Sequence, residues 1–307
     1  MVRYKSKMVE PIHLPAREDR AANLEDAGYN MFNLAADDVF VDLLTDSGTG
    51  TMSAEQWAAM IRGDEAYAGS SSFRKLEDAV ADVMGFDHVV PAHQGRGAEN
   101  VLYGTILEEG DVVLNNTHFD TTRAHVANQG AEAVDCPVPE ASEFDSEGDF
   151  KGNFSVDEGR RVVDEVGAEN VPAVILTITN NSAAGQPVSI ENTRAVREFC
   201  DEIDATFVLD ACRFAENAYF VRNRESEFAD ATVAGVAREQ LSYADVAVMS
   251  GKKDGLVNIG GFVATDDQAL YEAVKQLGIL YEGFPTYGGM AGRDVAAMAV
   301  GLREAVE

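Results

Sequence analysis

Positive charge is what this sequence most lacks. Lys and Arg total 24 against 53 Asp and Glu, a formal charge of −29 over 307 residues. A field of that sign repels polyanions, which excludes nucleic acid and anionic membrane surfaces as partners. The acids are scattered, densest at residues 140–147, and read as solvated faces rather than an interaction tail. Such a surface suits a salt-rich cytoplasm, where counter-ions screen self-repulsion; it predicts a melting temperature that rises with added salt. Cysteine is scarce too. Cys136, Cys200 and Cys212 are an odd number without CxxC spacing, which favours a reducing compartment over a zinc site or disulfide frame. No apolar run approaches membrane-spanning length, and the N-terminal "MVRYKSKMVEPIHLPARED" lacks the apolar core of a signal peptide. The expectation is a soluble, cytoplasmic protein without internal repeats or low-complexity linkers.

What the chain does have is alternation. After "DVFVDLLTDSGTG", Ser53 opens a helix with Gln56 placed for a capping box and Gly63 as its stop. The single tryptophan, Trp57, reads as core. A second helix starts near Ser72, with Phe73, Leu76, Val80, Val83 and Met84 near helical spacing. From there strand-like runs ("HVVPA", "DVVLNN", "AVILTIT", "ATFVLDA", "DVAVMSG", "GGFVAT") alternate with helical ones such as "GAENVLYGTIL" and "ENTRAVREFCDEI". Strands that are nearly all apolar belong to a sheet covered on both faces, so the pattern predicts an α/β fold with a mostly parallel sheet.

Ligands of such sheets bind at the carboxyl ends of the strands. "HQGRG" follows the first strand and precedes a helix, so glycines, a helix N-terminus and Arg96 together suit a phosphate; an ordinary glycine loop is the bland alternative. Asp210 ends an apolar strand, where its charge needs a partner: Arg213 in a structural ion pair, or a protonated heterocyclic nitrogen. Lys252 and Lys253 stand side by side in "MSGKKDGLVNIGG", after Ser250. One lysine alone reads as a surface charge. An anion cradle, an acid and an amine at three strand ends are together what pyridoxal phosphate requires for its phosphate, ring nitrogen and aldehyde. Spacing alone does not say which lysine is covalent.

The longer motifs "LLTDSGT", "GDEAYAGS", "HQGRGAEN", "TNNSAAGQPVS", "RFAENAYF", "SGKKDGLVNIGGF" and "EGFPTYGG" resemble, in order, the tryptophanase and tyrosine phenol-lyase family of β-eliminating lyases. The resemblance runs from about Pro15 onward. It implies the aspartate-aminotransferase type of pyridoxal-phosphate fold, fold type I. Residues 1–15 would be an N-terminal arm, 16–48 the first part of a small domain and its connection, and 49–307 the large cofactor-binding domain. The same resemblance makes Lys253 the cofactor-bonding lysine, with Lys252 beside it. Gln94, Gly95, Arg96 and Ser250 would hold the phosphate, Phe119 would stack on the ring, and Asp210 would meet the ring nitrogen. Arg213 and Asn181 would lie at the ring hydroxyl, Asn181 also at the substrate carboxylate, and Thr45 and Ser47 would contact substrate or phosphate. Tyr67, from a neighbouring subunit of a tetramer, would protonate the leaving ring. Potassium would be bound by Glu65 and the backbone carbonyls of Gly48 and Asn258.

The activity so implied is β-elimination of an aromatic amino acid, giving pyruvate, ammonia and the free ring. Indole or phenol leaves only if its ring carbon is protonated, so an acid is required. Asp120, after Phe119, matches the tryptophan-cleaving members; "SGKKDGLVNIGG" and "AGRDVAAMAVGLREA" lean toward the tyrosine-cleaving ones. A non-catalytic cofactor-binding fragment is the other reading, because the resemblance implies a further domain after "VGLREAVE", where the sequence stops, as expected of a fragment or a truncated product. His93 and His118 are expected to be hydrogen-bonded structural residues, and Cys212 a packing residue.

Overall fold

Polar side chains that take over orphan first-turn amides set most helix starts in this chain. The computed structural model describes residues 11–45, 47–48, 51–143 and 145–307. The chain divides into two units, residues 1–46 and 47–307. In the first, α1 (Arg17–Asp26) has no buried residue and is followed by two short 3-10 turns. The apolar stretch at 40–44 forms no strand, and Phe40, Val41, Leu43 and Leu44 stay exposed.

The second unit opens with the expected capping box. Ser53 Oγ accepts the Gln56 N–H at 3.0 Å and Gln56 Oε1 accepts the Ser53 N–H at 2.9 Å, starting α2 (Ala54–Arg62), with Gly63 at its C-cap. Trp57 is a correction: it is 49% exposed, not core. The helix turns its neighbour Gln56 fully inward instead, because the Gln56 amide donates to the Leu256 carbonyl at 2.9 Å and to the buried Ala297 carbonyl at 3.4 Å. Satisfying a buried carbonyl outweighs burying one more ring at that turn.

Helix α3 (Ser71–Val83) starts one residue before the expected position, with Ser70 as N-cap. Asp64 holds that start: it accepts the amides of Ser71 and Ser72 at 3.0 and 2.8 Å, while Ser72 Oγ accepts the Asp64 N–H at 3.1 Å. Both ends of the loop carrying Glu65 and Tyr67 are thereby tied together. Asp64→Ala is expected to lower unfolding free energy by about 1–2 kcal/mol; an unchanged urea midpoint would show that water replaces these bonds without loss.

Among the described residues seven strands follow: β1 (His88–Ala92), β2 (Val112–Asn115), β3 (Glu132–Asp135), β4 (Ala173–Thr177), β5 (Thr206–Asp210), β6 (Val246–Ser250) and β7 (Gly261–Thr265). Their order is β1-β7-β6-β5-β4-β2-β3, and only β7 runs antiparallel to its neighbours. Between the strands come α4 (Gly95–Ile106), α5 (Asp120–Asn128), α6 (Val156–Val166), α7 (Ile190–Ile203), α8 (Phe214–Arg224) and α9 (Val233–Leu241), and after β7 come α10 (Gln268–Tyr281) and α11 (Gly292–Glu304). Successive side chains along β4, β5 and β6 enter two separate cores. Val174, Leu176, Phe207 and Leu209 pack on one face; Ala173, Ile175, Val208 and Val248 pack on the other. That double burial is why these strands read as unbroken apolar runs. Among the described residues no helix is long and apolar enough to cross a membrane.

Candidate active site

The parallel strands deliver polar residues at their carboxyl ends. Thr177 closes β4, Asp210 pairs with it in register at the end of β5, and Ser250 closes β6. Here lies an open cleft, the place where ligands of such sheets bind. Ser47, Gln94, Gly95, Arg96, Phe119 and Asn181 line it, as do Asp210, Arg213, Ser250, Lys252 and Lys253. Eleven residues named from the sequence are therefore brought to one place.

Each is held by a local device. Gln94 is the N-cap of α4 but makes no side-chain capping bond, so its side chain takes none of the first-turn donors, although its carbonyl accepts the Gly97 N–H at 3.0 Å. Gly95 is required by close approach: a Cβ there would lie 2.6 Å from Ser250 Cβ. That contact sets the α4 N-terminus directly on the end of β6. Asp210 is 7% exposed, and its Oδ1 accepts the Cys212 N–H at 3.1 Å. Thr179 has φ +50°, an unusual left-handed conformation for a β-branched residue. Its hydroxyl donates to Asn217 Oδ1 at 3.1 Å. Beyond it, Asn180 Oδ1 accepts the Ser182 N–H at 2.8 Å, and its amide donates to the Thr117 carbonyl. The Asn181 turn is thus tied to the segment that carries Phe119.

The lysine loop is anchored through Asp254. Its Oδ2 accepts the Ala215 and Glu216 amides at 2.8 and 3.0 Å, so it caps α8, and its own N–H donates to the Cys212 carbonyl at 3.2 Å. Arg213, N-cap of α8, lies 3.8 Å from Glu216. On the other side of the loop, the Lys252 carbonyl accepts the Gly48 N–H at 2.9 Å.

A family model described as Beta-eliminating lyase matches residues 42–306. The chain belongs to the beta-eliminating lyase family. It is 68% identical over 305 residues to a probable tryptophanase of Halobacterium salinarum, covering 99% of this chain and 68% of that protein. It is 52% identical to a tryptophanase of Salinibacter ruber, covering 99% of this chain and 64% of the relative. It is 49% identical to a tyrosine phenol-lyase of Pasteurella multocida, covering 99% and 66%. The chain thus spans about two thirds of the length of these relatives. A crystal structure of a SepCysS–SepCysE N-terminal domain complex is similar in fold, with TM-score 0.62 over 92% of this chain and 71% of that chain. At 16% identity it speaks for fold alone.

With membership of the beta-eliminating lyase family stand the fold-type-I α/β architecture, the carbon–carbon lyase class and the pyridoxal phosphate cofactor read from the motifs. The cleft fits that cofactor. An uncapped helix N-terminus suits a phosphate, a nearly buried carboxylate suits a cationic ring nitrogen, and an amine lies in the same cavity.

Other residues named from the sequence lie elsewhere. Tyr67, 67% exposed, and Glu65 line a second cleft with Thr286 and Tyr287, and Glu65 Oε2 accepts the Gly292 N–H at 3.0 Å. Asn258 Nδ2 donates to the Gly48 carbonyl at 3.2 Å, so those two potassium candidates are neighbours, while Glu65 lines the second cleft, which neither of them lines. Asp120 is the exposed first residue of α5. Thr45 belongs to the first unit, where its hydroxyl donates to Asp42 at 2.6 Å. Among the described residues no cluster of three or more His, Cys, Asp or Glu side chains is placed to hold a metal.

His93 and His118 are hydrogen-bonded as expected, His93 Nδ1 at 2.5 Å from Glu282 and His118 Nδ1 at 2.7 Å from Asp135. The Cys212 sulfur accepts the Ser250 N–H at 3.1 Å; burial pushes its thiol well above the usual range, which suits packing and not nucleophilic attack. Sequence reasoning missed Asp254 and Glu99. Asp254 was visible as the acid after the lysine pair, and Glu99 as the one charged residue inside the apolar "AENVLYG" helix run.

Proposed function

We propose that the chain catalyses pyridoxal-phosphate-dependent β-elimination on L-tryptophan, which with water gives indole, pyruvate and ammonia. The observation that carries this is the convergence of Lys253, Asp210 and the uncapped α4 N-terminus on one cleft. Lys253 would bond the cofactor aldehyde and Asp210 its ring nitrogen. Gly95, Arg96, Gln94 and Ser250 would hold the phosphate, with Lys252 nearby; Phe119 would lie against the ring, and Asn181 and Arg213 at its hydroxyl. When bound, the cofactor accepts the electron pair left as the substrate Cα loses its proton. The Lys253 amine is the base for that proton. Protonation of the departing ring falls to Tyr67. Its exposure and its place in the second cleft support delivery from a second copy, within a tetramer.

Asp120 favours tryptophan over tyrosine. The tyrosine reading draws on the near-equal identity to the Salinibacter and Pasteurella relatives. We further assign residues 1–15 to an arm, 16–48 to the first part of a small domain, and 49–307 to the large domain. Gly48, Asn258 and Glu65 are assigned to potassium, and Thr45 and Ser47 to substrate or phosphate contact. A cytoplasmic setting is supported by three free cysteines, two of them buried.

The test is borohydride reduction of the cofactor-loaded chain and peptide mapping, alongside indole and phenol release from L-tryptophan and L-tyrosine in potassium or sodium. A label on Lys253 with potassium-dependent indole release is expected. Phenol release alone would establish the tyrosine activity, and a label without either product would make the chain a cofactor-binding fragment. A label elsewhere would end this reading of the cleft.

A further inference from the structure

One charged side chain of the cleft has no part in the chemistry above. Glu99 lies on the second turn of α4, is 6% exposed, and lines the cavity. Its two oxygens are used separately: Oε2 accepts the Thr121 hydroxyl at 2.5 Å, and Oε1 accepts the Thr122 hydroxyl. Both threonines belong to the first turn of α5, whose N-cap is Phe119. A carboxylate at that helix start also faces the positive end of its dipole. We propose that Glu99 is a positioning residue that ties the first turn of α5, and with it Phe119, to the helix whose N-terminus closes the cleft. This rests on reading the cleft as the pyridoxal phosphate site.

The location is an expensive one for a carboxyl. Burial, with Asp210 adding to it, pushes Glu99 up to about 7, while the threonine hydroxyls and Lys253 pull the other way. An apolar side chain would pack there more cheaply, but could not accept two hydroxyls from a neighbouring helix. Asp210 and Lys253 act on Glu99 electrostatically, and all three line the same cleft. Rigid placement of a stacking ring on the cofactor is the expected return.

The test uses the full chain titrated with pyridoxal phosphate, reading the dissociation constant by absorbance and the circular dichroism of the bound cofactor. Glu99→Ala should weaken binding about tenfold or more and reduce the induced dichroism, because both bonds to the α5 hydroxyls are lost. Glu99→Gln keeps an acceptor and should recover most of both. Should Glu99→Ala not fold, Thr122→Val against Thr122→Ser asks the same question, with weaker binding expected for valine only. Binding within about twofold of wild type and unchanged dichroism in folded Glu99→Ala or Thr122→Val would overturn the proposal. So would a Glu99→Gln variant no better than alanine. Wild-type chain that takes up no cofactor would instead overturn the reading of the cleft itself, and this proposal with it.

Discussion

Lys253→Ala is expected to abolish covalent labelling by the cofactor and to reduce elimination by roughly 10⁴-fold or more, since attachment and proton transfer are lost together. Stability should change by less than about 0.5 kcal/mol, as for substitutions away from the core. The structural work at this position is done by the backbone: the Lys253 N–H donates to the Ser250 carbonyl at 3.4 Å, and its carbonyl accepts the Leu256 N–H at 2.9 Å. Lys252→Ala is the control. Lys252 lines the same cleft, and its backbone carbonyl accepts the Gly48 N–H. Its substitution should leave the label on Lys253 while weakening cofactor binding. A label that follows Lys252 would reverse the roles of the two residues. Peptide mapping decides between them, because the structure brings both amines to one cavity.

That ambiguity shows what was legible in the sequence. Buried strands announce themselves: β1, β5, β6 and β7 fall within the apolar runs that mark them, and the residues after the β1, β5 and β6 runs meet at the cleft. Edge strand β3 was not marked, because Glu132 and Asp135 flank only two apolar residues and the strand is only partly buried. Trp57 failed for the opposite reason. Hydrophobicity says nothing of a buried carbonyl that selects Gln56 for the inner face. Asp254 and Glu99 owe their importance to helices far along the chain, and no local pattern encodes a cap supplied from 39 residues away. Tyr67 lies in a second cleft apart from the lysine pair, and the spacing of its residues carries no sign of that separation.

Asp254 yields the second large effect, and its sign depends on pH. Burial is the main influence on its carboxyl and raises it from 3.8 to about 6, despite the two α8 amides that favour the charged form. The folded chain therefore holds this proton more tightly than the unfolded one. The resulting stabilisation is fully present below about 3.8 and is lost as pH rises through about 6. Above that range the ionised group is carried at a cost of roughly 2–3 kcal/mol. Asp254→Asn keeps an acceptor oxygen for α8 and removes the ionisation. The difference in unfolding free energy between wild type and Asp254→Asn should therefore move in favour of asparagine between pH 4 and pH 7, by roughly that amount. Asp254→Ala loses the cap at every pH, about 1–2 kcal/mol, and releases the loop that presents Lys253. Cofactor affinity should then fall about tenfold in the alanine variant and little in the asparagine one. Parallel pH profiles for wild type and asparagine would mean that Asp254 ionises like an exposed acid. Equal cofactor binding in all three would mean that the lysine loop holds its shape without the α8 anchor.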